Sequence, residues 1–325
     1  MTNRIEADVL SYATLRARTA ERDRSLREKV MSLDEAAKLV SNGDHVAIGG
    51  CTLSRTPMAM IWALIRAKKK NLVISRSITS NEGELLYASG AADHVITSWF
   101  SQGIVWGVSK VMRAYVESGR ATYEEWSHMS MGLRYRAGAM GVPFLPTRSM
   151  MGSDVRKRLG DAIKEIDCPF TGEKIALLPA LNPDVAIIHV PRCDAYGNAQ
   201  IDGLDFMDPD IAMAADKVIL TTEKIVSNDQ IRRRPDYTKI PFFTVEAVVE
   251  VPFGCAPHEC FGAYEPFFDH HDAYAAAINK DPEGAIAAYL DRYFYEPESW
   301  PEVLERIGMA ELLSAAQRGR SIYDD

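Results

Sequence analysis

The sequence lacks the features that define several large classes of protein. No apolar run approaches the roughly 20 residues of a membrane-spanning helix, and no apolar segment follows the charged N-terminus as in a secretory signal. Five cysteines in 325 residues are too few for a disulfide scaffold and suit reduced thiols, which predicts a cytoplasmic protein. The 37 basic and 45 acidic residues give a net charge of −8, which disfavours nucleic acid as a partner.

The composition is that of a folded globular protein. Hydrophobic residues make up 47% and charged residues 25% of the chain, so disorder is not expected as its main state. Residues 1–30 differ from the rest because they mix charges of both signs densely and contain neither proline nor glycine. We interpret them as an N-terminal helical arm. Residues 31–325 are interpreted as one domain.

Short apolar runs alternate with helical patterns throughout this domain. Ser32 and Glu35 form a capping-box pattern that predicts a helix ending near Val40. Strands are predicted over residues 45–48, 72–74, 94–97, 185–190, 218–221 and 245–251. Helices are predicted after the Thr56-Pro57 cap and over residues 108–118, 123–140, 211–215, 274–279, 282–289 and 301–318. This alternation predicts an open α/β domain with a mostly parallel sheet and helices on both faces.

The most informative segment is the glycine-containing loop after the first predicted strand. Gly49, Gly50 and Cys51 lie between that strand and the next helix. Backbone N–H groups in such a loop, together with a helix N-terminus, favour an anion or a developing oxyanion. A tight strand-to-helix turn is the simpler interpretation. The Cys51 thiol is either activated by the helix N-terminus or a small residue that lines the pocket.

Residues 42–57 resemble the N-terminal signature of the family I CoA-transferases, with Cys51 where the family usually has phenylalanine and Arg55 where many members have glycine. Further segments match in order and spacing, and they are similar to the alpha subunits of the glutaconate CoA-transferase group. They are GVPFLP (141–146), PDVAIIH (183–189), DAYGNA (194–199) and VVEVPFG (248–254). The resemblance implies the open α/β fold of these enzymes, which is also called NagB/RpiA-like.

The resemblance also implies a partner and a mechanism. A separate beta subunit supplies a glutamate that attacks acyl-CoA and forms an acyl-glutamyl anhydride with release of CoA thiolate. The thiolate then forms a glutamyl-CoA thioester, and an acceptor carboxylate reverses both steps. CoA is a substrate, and no metal or other cofactor is expected. The expected assembly is α2β2 or larger. The acyl group is expected to be a dicarboxylic or ring-derived acid.

Candidate site residues follow from the same comparison. Ser80-Asn81-Glu82 resembles the family's nucleophile motif with the last two residues exchanged, so we predict that these three residues bind substrate and that Glu82 is not the nucleophile. His128 falls where related ring-opening hydrolases carry a required glutamate. It is either a general base or a residue that only lines the pocket.

Two further residues complete the predicted site. Arg134 either pairs with a substrate carboxylate or forms a surface ion pair. Ser153 belongs to a segment that resembles the family's proline-flanked loop and is predicted to bind substrate.

Two other functions remain open from the sequence. One is a hydrolase of CoA thioesters on the same scaffold, with His128 as the base. The other is a non-catalytic module that binds CoA or a sugar phosphate. Among the remaining candidates, Cys255, His258 and Cys260 have a weak metal-binding spacing, His189 is predicted to be a structural histidine at a strand end, and His270 and His271 are predicted in an exposed loop.

Overall fold

The structure is a computed structural model that describes residues 9–103 and 105–320. Its α-helices are α1 (Tyr12–Glu21), α2 (Leu33–Lys38), α3 (Met58–Arg66), α4 (Asn81–Ala88), α5 (Lys110–Glu117), α6 (His128–Met140), α7 (Asp154–Leu159), α8 (Asp208–Ala214), α9 (Asn228–Arg233), α10 (Phe268–Lys280), α11 (Pro282–Leu290), α12 (Trp300–Ile307) and α13 (Met309–Arg320). No helix in the described part of the chain is long and apolar enough to cross a membrane.

Its strands are β1 (His45–Ile48), β2 (Leu72–Ser75), β3 (Ala92–Thr97), β4 (Thr122–Glu125), β5 (Phe144–Thr147), β6 (Lys164–Asp167), β7 (Lys174–Pro179), β8 (Val185–Val190), β9 (Arg192–Cys193), β10 (Ala199–Gln200), β11 (Lys217–Thr222), β12 (Thr238–Ile240) and β13 (Val245–Glu250). Seven of them form one sheet in the order β13-β11-β8-β1-β2-β3-β4, with every pair parallel. The predicted open parallel α/β sheet is confirmed. Two small antiparallel sheets, β12-β10-β9 and β5-β7-β6, flank it.

The strand order creates a switch point between β1 and β8. From β1 the chain adds β2, β3 and β4 on one side of the sheet, and it later adds β8, β11 and β13 on the other side. In open α/β sheets, ligands bind outside the carboxyl ends of the strands at such a point. The glycine loop that begins at Gly49 leaves β1 there.

The sheet is buried on both faces because its side chains alternate between two hydrophobic clusters. In β1, Val46 and Ile48 pack into one cluster and Ala47 packs into the other. All four residues of β1 are buried, as are all six of β8. Continuous apolar runs are typical of parallel strands covered by helices on both faces.

The part of the predicted N-terminal arm that the structure describes hydrogen bonds to the rest of the chain near its C-terminal end. Residues 1–8 of the predicted arm lie outside the described residues, and α1 has no buried residue. The Arg22 guanidinium donates to the carbonyl of Ala215, and the Lys29 amine donates to the carbonyl of Phe242 at 2.6 Å. The capping box of Ser32 and Glu35 is present at the start of α2, as predicted.

Four local predictions are wrong. Residues 301–318 belong to two helices rather than the predicted one, α12 and α13, which are separated at Gly308, where φ is +114°. Residues 123–125 are part of the edge strand β4 rather than a helix, because they pair with β3. Helix α3 begins at Met58 with no side-chain cap, and Thr56 hydrogen bonds to buried side chains instead. His270 and His271 lie in α10 rather than in an exposed loop, and the ring of His271 is packed against Pro257, whose carbonyl lies 3.1 Å from its Nε2.

Candidate active site

Four connecting segments meet at the carboxyl edge of the sheet. The glycine loop follows β1, Ser77 follows β2, Ser98 follows β3, and His128 begins the helix after β4. Because the strands are parallel, these segments all lie at one edge. The fold thereby brings two sequence-predicted features, the glycine loop and His128, to the same side of the molecule.

Gly50 is required by the path of the glycine loop. Its φ is +69°, in the left-handed region that favours glycine. A Cβ atom at this position would lie 2.1 Å from the carbonyl oxygen of Ser54, which is backbone and cannot move aside. The loop folds back on itself here through paired hydrogen bonds between Cys51 and Ser54, at 3.0 and 2.8 Å.

The N–H groups of Gly49, Gly50 and Cys51 are not free to bind an oxyanion. Gly49 donates to the carbonyl of Ile187 at 2.9 Å, Gly50 donates to the Asp208 carboxylate at 2.7 Å, and Cys51 donates to the carbonyl of Ser54. The structure therefore does not support the catalytic role that the sequence suggested for these three residues. These N–H groups form internal hydrogen bonds that hold the loop in its conformation, so they are not available to a ligand.

Two backbone N–H groups at the tip of the same loop have no hydrogen-bond acceptor among the described residues. Thr52 and Leu53 form the turn between Cys51 and Ser54, and both are half-buried. No residue in the described ranges accepts a hydrogen bond from either backbone N–H. Thr52 has a φ of +50°, a rare conformation for a residue with a branched side chain. Two adjacent unpaired N–H groups at the edge of the sheet are suited to a negatively charged oxygen.

A buried ion pair anchors one side of the loop. The Arg55 guanidinium pairs with the Asp208 carboxylate, and both side chains are fully buried. Asp208 also accepts the N–H of Gly50, and Arg55 donates to the carbonyl of Leu204 at 2.8 Å. Asp208 comes from α8, more than 150 residues away along the chain, so tertiary contacts fix the position of the loop.

A second buried ion pair supports the other side. The Arg76 guanidinium pairs with Glu82 at 2.5 Å and also donates to the carbonyl of Gly49 and the hydroxyl of Thr56. Ser80 donates to the carbonyl of Thr52 at 3.1 Å. Glu82 is fully buried, and its carboxylate accepts hydrogen bonds from Arg76 and from the backbone N–H of Ser80, the latter at 2.9 Å. It is therefore unavailable as a nucleophile in this structure.

The predicted substrate contacts at residues 80–82 are likewise not supported by the geometry. Ser80, Asn81 and Glu82 are each at most 1% exposed. The Asn81 side-chain oxygen hydrogen bonds to His258, which also bonds to Thr56. Burial lowers the pKa of His258, which keeps its ring neutral. These residues are buried beneath the glycine loop, which they support, and they are not exposed at the carboxyl edge of the sheet.

His128 is the exposed polar side chain of this edge that sequence analysis had singled out. It is the first residue of α6, whose N-cap is Ser127. Its Nδ1 lies 3.3 Å from the Ser98 hydroxyl, which in turn donates to the carbonyl of Ser77. Ser77 reaches the carbonyl of Gly50 at 3.4 Å. A chain of hydrogen bonds thus connects His128 to the glycine loop.

Two other predicted substrate contacts lie elsewhere. Arg134 is 1% exposed, stacks over Trp126 at 4.0 Å and pairs with Glu124 at 3.3 Å. Its burial and internal pairing contradict both the carboxylate-binding and the surface interpretation. The Ser153 hydroxyl caps α7 by accepting the N–H of Arg156, and it donates to the carbonyl of Met150. Both of its hydrogen bonds remain within its own segment, so it has a local structural role.

The Cys51 thiol is not activated. It is 8% exposed, and burial raises its pKa even though Arg76 acts in the opposite direction. The interpretation of Cys51 as a small residue beside the site fits this environment better than a nucleophile.

A metal-capable cluster occurs in the structure, but it shares only Cys260 with the set that the spacing suggested. Donor atoms of His189, Glu223 and Cys260 lie within 4.8 Å of one another, whereas His258 is engaged with Thr56 and Asn81. Glu223 already accepts hydrogen bonds from Tyr264 and two backbone N–H groups. The prediction that His189 is structural is confirmed by its bonds to Thr221 and Glu223, both at 2.8 Å.

The groups of this cluster interact with one another. Burial acts to lower the pKa of His189, but its hydrogen bonds with Cys260 and Glu223 outweigh burial and raise the pKa to about 9. The protonated ring donates a hydrogen bond to the side chain of Glu223 at 2.8 Å.

Sequence analysis missed Asp208, Arg76, Ser77 and Ser98. Three of these had a usable signal, since Arg76, Ser77 and Ser98 are polar residues directly after buried strands, where ligand sites of parallel sheets form. Asp208 had none, because only the packing of α8 brings it under the loop.

Comparisons with known proteins agree with this fold. A family model described as coenzyme A transferase matches residues 30–251, more than half of the chain. A protein of Archaeoglobus fulgidus is 38% identical over 91% of this chain. The match spans 66% of that relative's length, which is just under two thirds. The A subunit of glutaconate CoA-transferase from Acidaminococcus fermentans is 34% identical, and the match covers 88% of this chain and 94% of that relative.

A third relative and one solved structure complete the comparison. The A subunit of 3-oxoadipate CoA-transferase from Pseudomonas knackmussii is 32% identical over 86% of this chain and 98% of its own length. The crystal structure of glutaconate coenzyme A-transferase from Acidaminococcus fermentans matches with a TM-score of 0.82 at 33% identity. The match covers 88% of this chain and 95% of that chain.

Proposed function

The chain belongs to the coenzyme A transferase family, and on that premise we propose that it is the alpha subunit of a two-subunit enzyme that moves CoA between an acyl-CoA and a carboxylate. One observation carries the proposal. The glycine loop has two backbone N–H groups at a sheet edge that no described residue accepts, yet the nearby acid Glu82 is buried and paired with Arg76. This chain thus offers half of a catalytic site, and a beta subunit supplies the nucleophilic glutamate.

In this proposal the loop stabilises negative charge. Attack of the partner's glutamate on a thioester creates an oxyanion, and its stabilisation by oriented N–H donors lowers the barrier. We assign that role to the N–H groups of Thr52 and Leu53, in place of those of the three residues before them. The two ion pairs, Arg55–Asp208 and Arg76–Glu82, keep these donors in place before substrate arrives.

The proposed acyl substrate is a dicarboxylic or ring-derived acid. Support comes from the relatives, whose names give glutaconate and 3-oxoadipate as substrates. CoA acts as a substrate and no further cofactor is required. We also propose an α2β2 or larger assembly, and a cytoplasmic location in keeping with five free cysteines.

The test uses this chain copurified with its beta partner. Candidate acyl-CoAs are supplied with and without an acceptor carboxylate, while CoA exchange and free thiol are followed together. Exchange that requires the acceptor and releases little thiol is the expected result. If acyl-CoA is consumed equally without any acceptor, a transferase is excluded.

A hydrolase of CoA thioesters is the second candidate, and the exposed ring of His128 at the site edge favours it. The variant His128→Gln separates the two. A hydrolase that uses the ring as general base would lose roughly 10²- to 10⁴-fold in rate, whereas the transferase should lose less than about tenfold because its nucleophile is the glutamate. Met129→Gln, at the next exposed position, is the matched control and should affect neither activity.

A further inference from the structure

We propose that Ser98 is a positioning residue that fixes the tautomer of His128, so that Nδ1 carries the proton and Nε2 is the hydrogen-bond acceptor toward substrate. The inference rests on the proposed function only for the identity of the group that meets Nε2. The tautomer itself follows from the direction of hydrogen bonds in this chain.

The direction is set at the Ser77 carbonyl. The oxygen atoms of the Ser98 hydroxyl and the Ser77 carbonyl are in direct hydrogen-bond contact. A carbonyl oxygen has no hydrogen to give, so the hydrogen between them must belong to Ser98. The Ser98 oxygen has then used its single donor and can act only as an acceptor toward other groups.

His128 is the group that meets this acceptor. Its Nδ1 lies 3.3 Å from the Ser98 oxygen. Since Ser98 cannot donate a second time, a hydrogen bond exists only if His128 supplies the proton, which places that proton on Nδ1. In a neutral imidazole one nitrogen is a donor and the other an acceptor, so Nε2 carries the free lone pair.

Two other donors near the Ser77 carbonyl do not change the conclusion that the Ser98 hydroxyl donates to it. Thr97 reaches the Ser77 carbonyl at 3.3 Å, but its hydroxyl also has the carbonyl of Trp99 as an acceptor at 3.1 Å. The backbone N–H of Ser98 donates to the Ser77 carbonyl at 3.1 Å and occupies its second lone pair. Both lone pairs of that carbonyl are therefore used by Ser98, which fixes the serine rotamer.

The tautomer determines what His128 recognises. With Nδ1 protonated, the neutral ring accepts a hydrogen bond at Nε2 from a hydroxyl, an amide N–H, a thiol or a water molecule. In this tautomer Nε2 has no hydrogen and cannot donate a hydrogen bond to a carboxylate or a carbonyl. No residue in the described part of the chain hydrogen bonds to Nε2, so this acceptor is left for a molecule at the site edge. The geometry thus specifies a bound group that carries a hydrogen.

The test is ¹⁵N NMR of the histidine side chains in the full chain bound to its unlabelled beta partner. At about pH 8 an ordinary imidazole is neutral, and the two ring nitrogens then give distinct shifts for the two tautomers. The chain has seven histidines, and the signal missing from His128→Gln identifies His128. We expect the Nδ1–H form to be the majority, by up to about tenfold, which is the ratio that a hydrogen bond worth about 1.4 kcal/mol would produce.

Two variants complete the experiment. Ser98→Ala removes the acceptor and should abolish the Nδ1–H majority, whereas Ser98→Thr keeps the hydroxyl and should preserve it. An Nε2–H majority in the unaltered protein would overturn the proposal, as would an unchanged Nδ1–H majority in Ser98→Ala. If Ser98→Ala does not fold, the unaltered protein still decides.

The outcome is separable from that of the proposed function. An Nδ1–H majority in a complex that shows no CoA exchange would refute the transferase and leave the tautomer assignment standing. Conversely, exchange with an Nε2–H majority would refute only the role of Ser98.

Discussion

Removal of the Asp208 carboxylate should both destabilise the protein and release the glycine loop. In Asp208→Ala, the Arg55 guanidinium stays in a fully buried position without its counter-ion, and the N–H of Gly50 loses its acceptor. Breaking a buried ion pair from one side costs about 3–5 kcal/mol, because the remaining charge is left without compensation. We therefore expect a loss of that size in the free energy of unfolding.

The assay is urea denaturation of the complete chain with its partner. For an m-value of about 3 kcal/mol per M, this loss shifts the midpoint by roughly 1 to 1.7 M. Asp210→Ala is the matched control on the same helix. Asp210 pairs with Arg136, whose side chain is 60% exposed, so the variant should cost less than about 1 kcal/mol.

A double-mutant cycle tests the cause. Arg55→Ala with Asp208→Ala should cost about 1–3 kcal/mol less than the sum of the single variants, because the second change removes the orphaned charge. Asp208→Asn retains an oxygen for the N–H of Gly50 and should fall between the unaltered protein and Asp208→Ala. Equal costs for Asp208→Ala and Asp210→Ala would refute the argument that the buried pair holds the loop.

Burial and packing lead to three further expectations. Gly138→Ala should destabilise the folded protein by about 1–3 kcal/mol, because the new Cβ would lie 2.1 Å from the Leu181 carbonyl oxygen. The control Gly132→Ala, on the same helix, should be neutral or stabilising. Equal unfolding midpoints for the two variants would contradict this expectation. Burial raises the pKa of Glu84 from 4.5 to about 7, so the folded state holds a proton that the unfolded state releases in this range, and stability falls as pH rises through it. Glu84→Gln should therefore gain in melting temperature relative to the unaltered protein between about pH 5 and about pH 8, and a constant difference would speak against it. Cys51→Ala should retain CoA exchange, and the thiol should react slowly with iodoacetamide, because burial raises its pKa; rapid loss of activity on alkylation at Cys51 would show otherwise.

The sequence was sufficient for the class of fold and for most of its central strands. Runs such as residues 185–190 are apolar throughout, and only a strand covered on both faces accommodates that pattern. Edge elements were harder. Strand β4 carries Thr122, Tyr123, Glu124 and Glu125. Its polar residues resemble a helix start because β4 is the last strand of the sheet, and no strand in the described part of the chain pairs with its outer side.

The family resemblance was likewise contained in the sequence, since its motifs are local and colinear. The roles of individual site residues were not. Glu82 and Arg134 have the residue types that bind substrates, and both are buried in ion pairs with Arg76 and Glu124. A charged residue in a motif gives no information on whether its partner is a ligand or another side chain of the same chain.

The sequence by itself determined the alternation of elements, the glycine that the loop requires and the family to which the chain belongs, because each depends on residues close together along the chain. Tertiary structure alone decided which groups the site offers. It placed Asp208 under Gly50, used the N–H groups of residues 49–51 in internal hydrogen bonds, and left those of Thr52 and Leu53 without an acceptor among the residues that the structure describes. It also brought Ser98 beside His128. Hydrogen-bond donors are satisfied by whatever lies near them in space, and in a parallel sheet those neighbours come from distant parts of the chain.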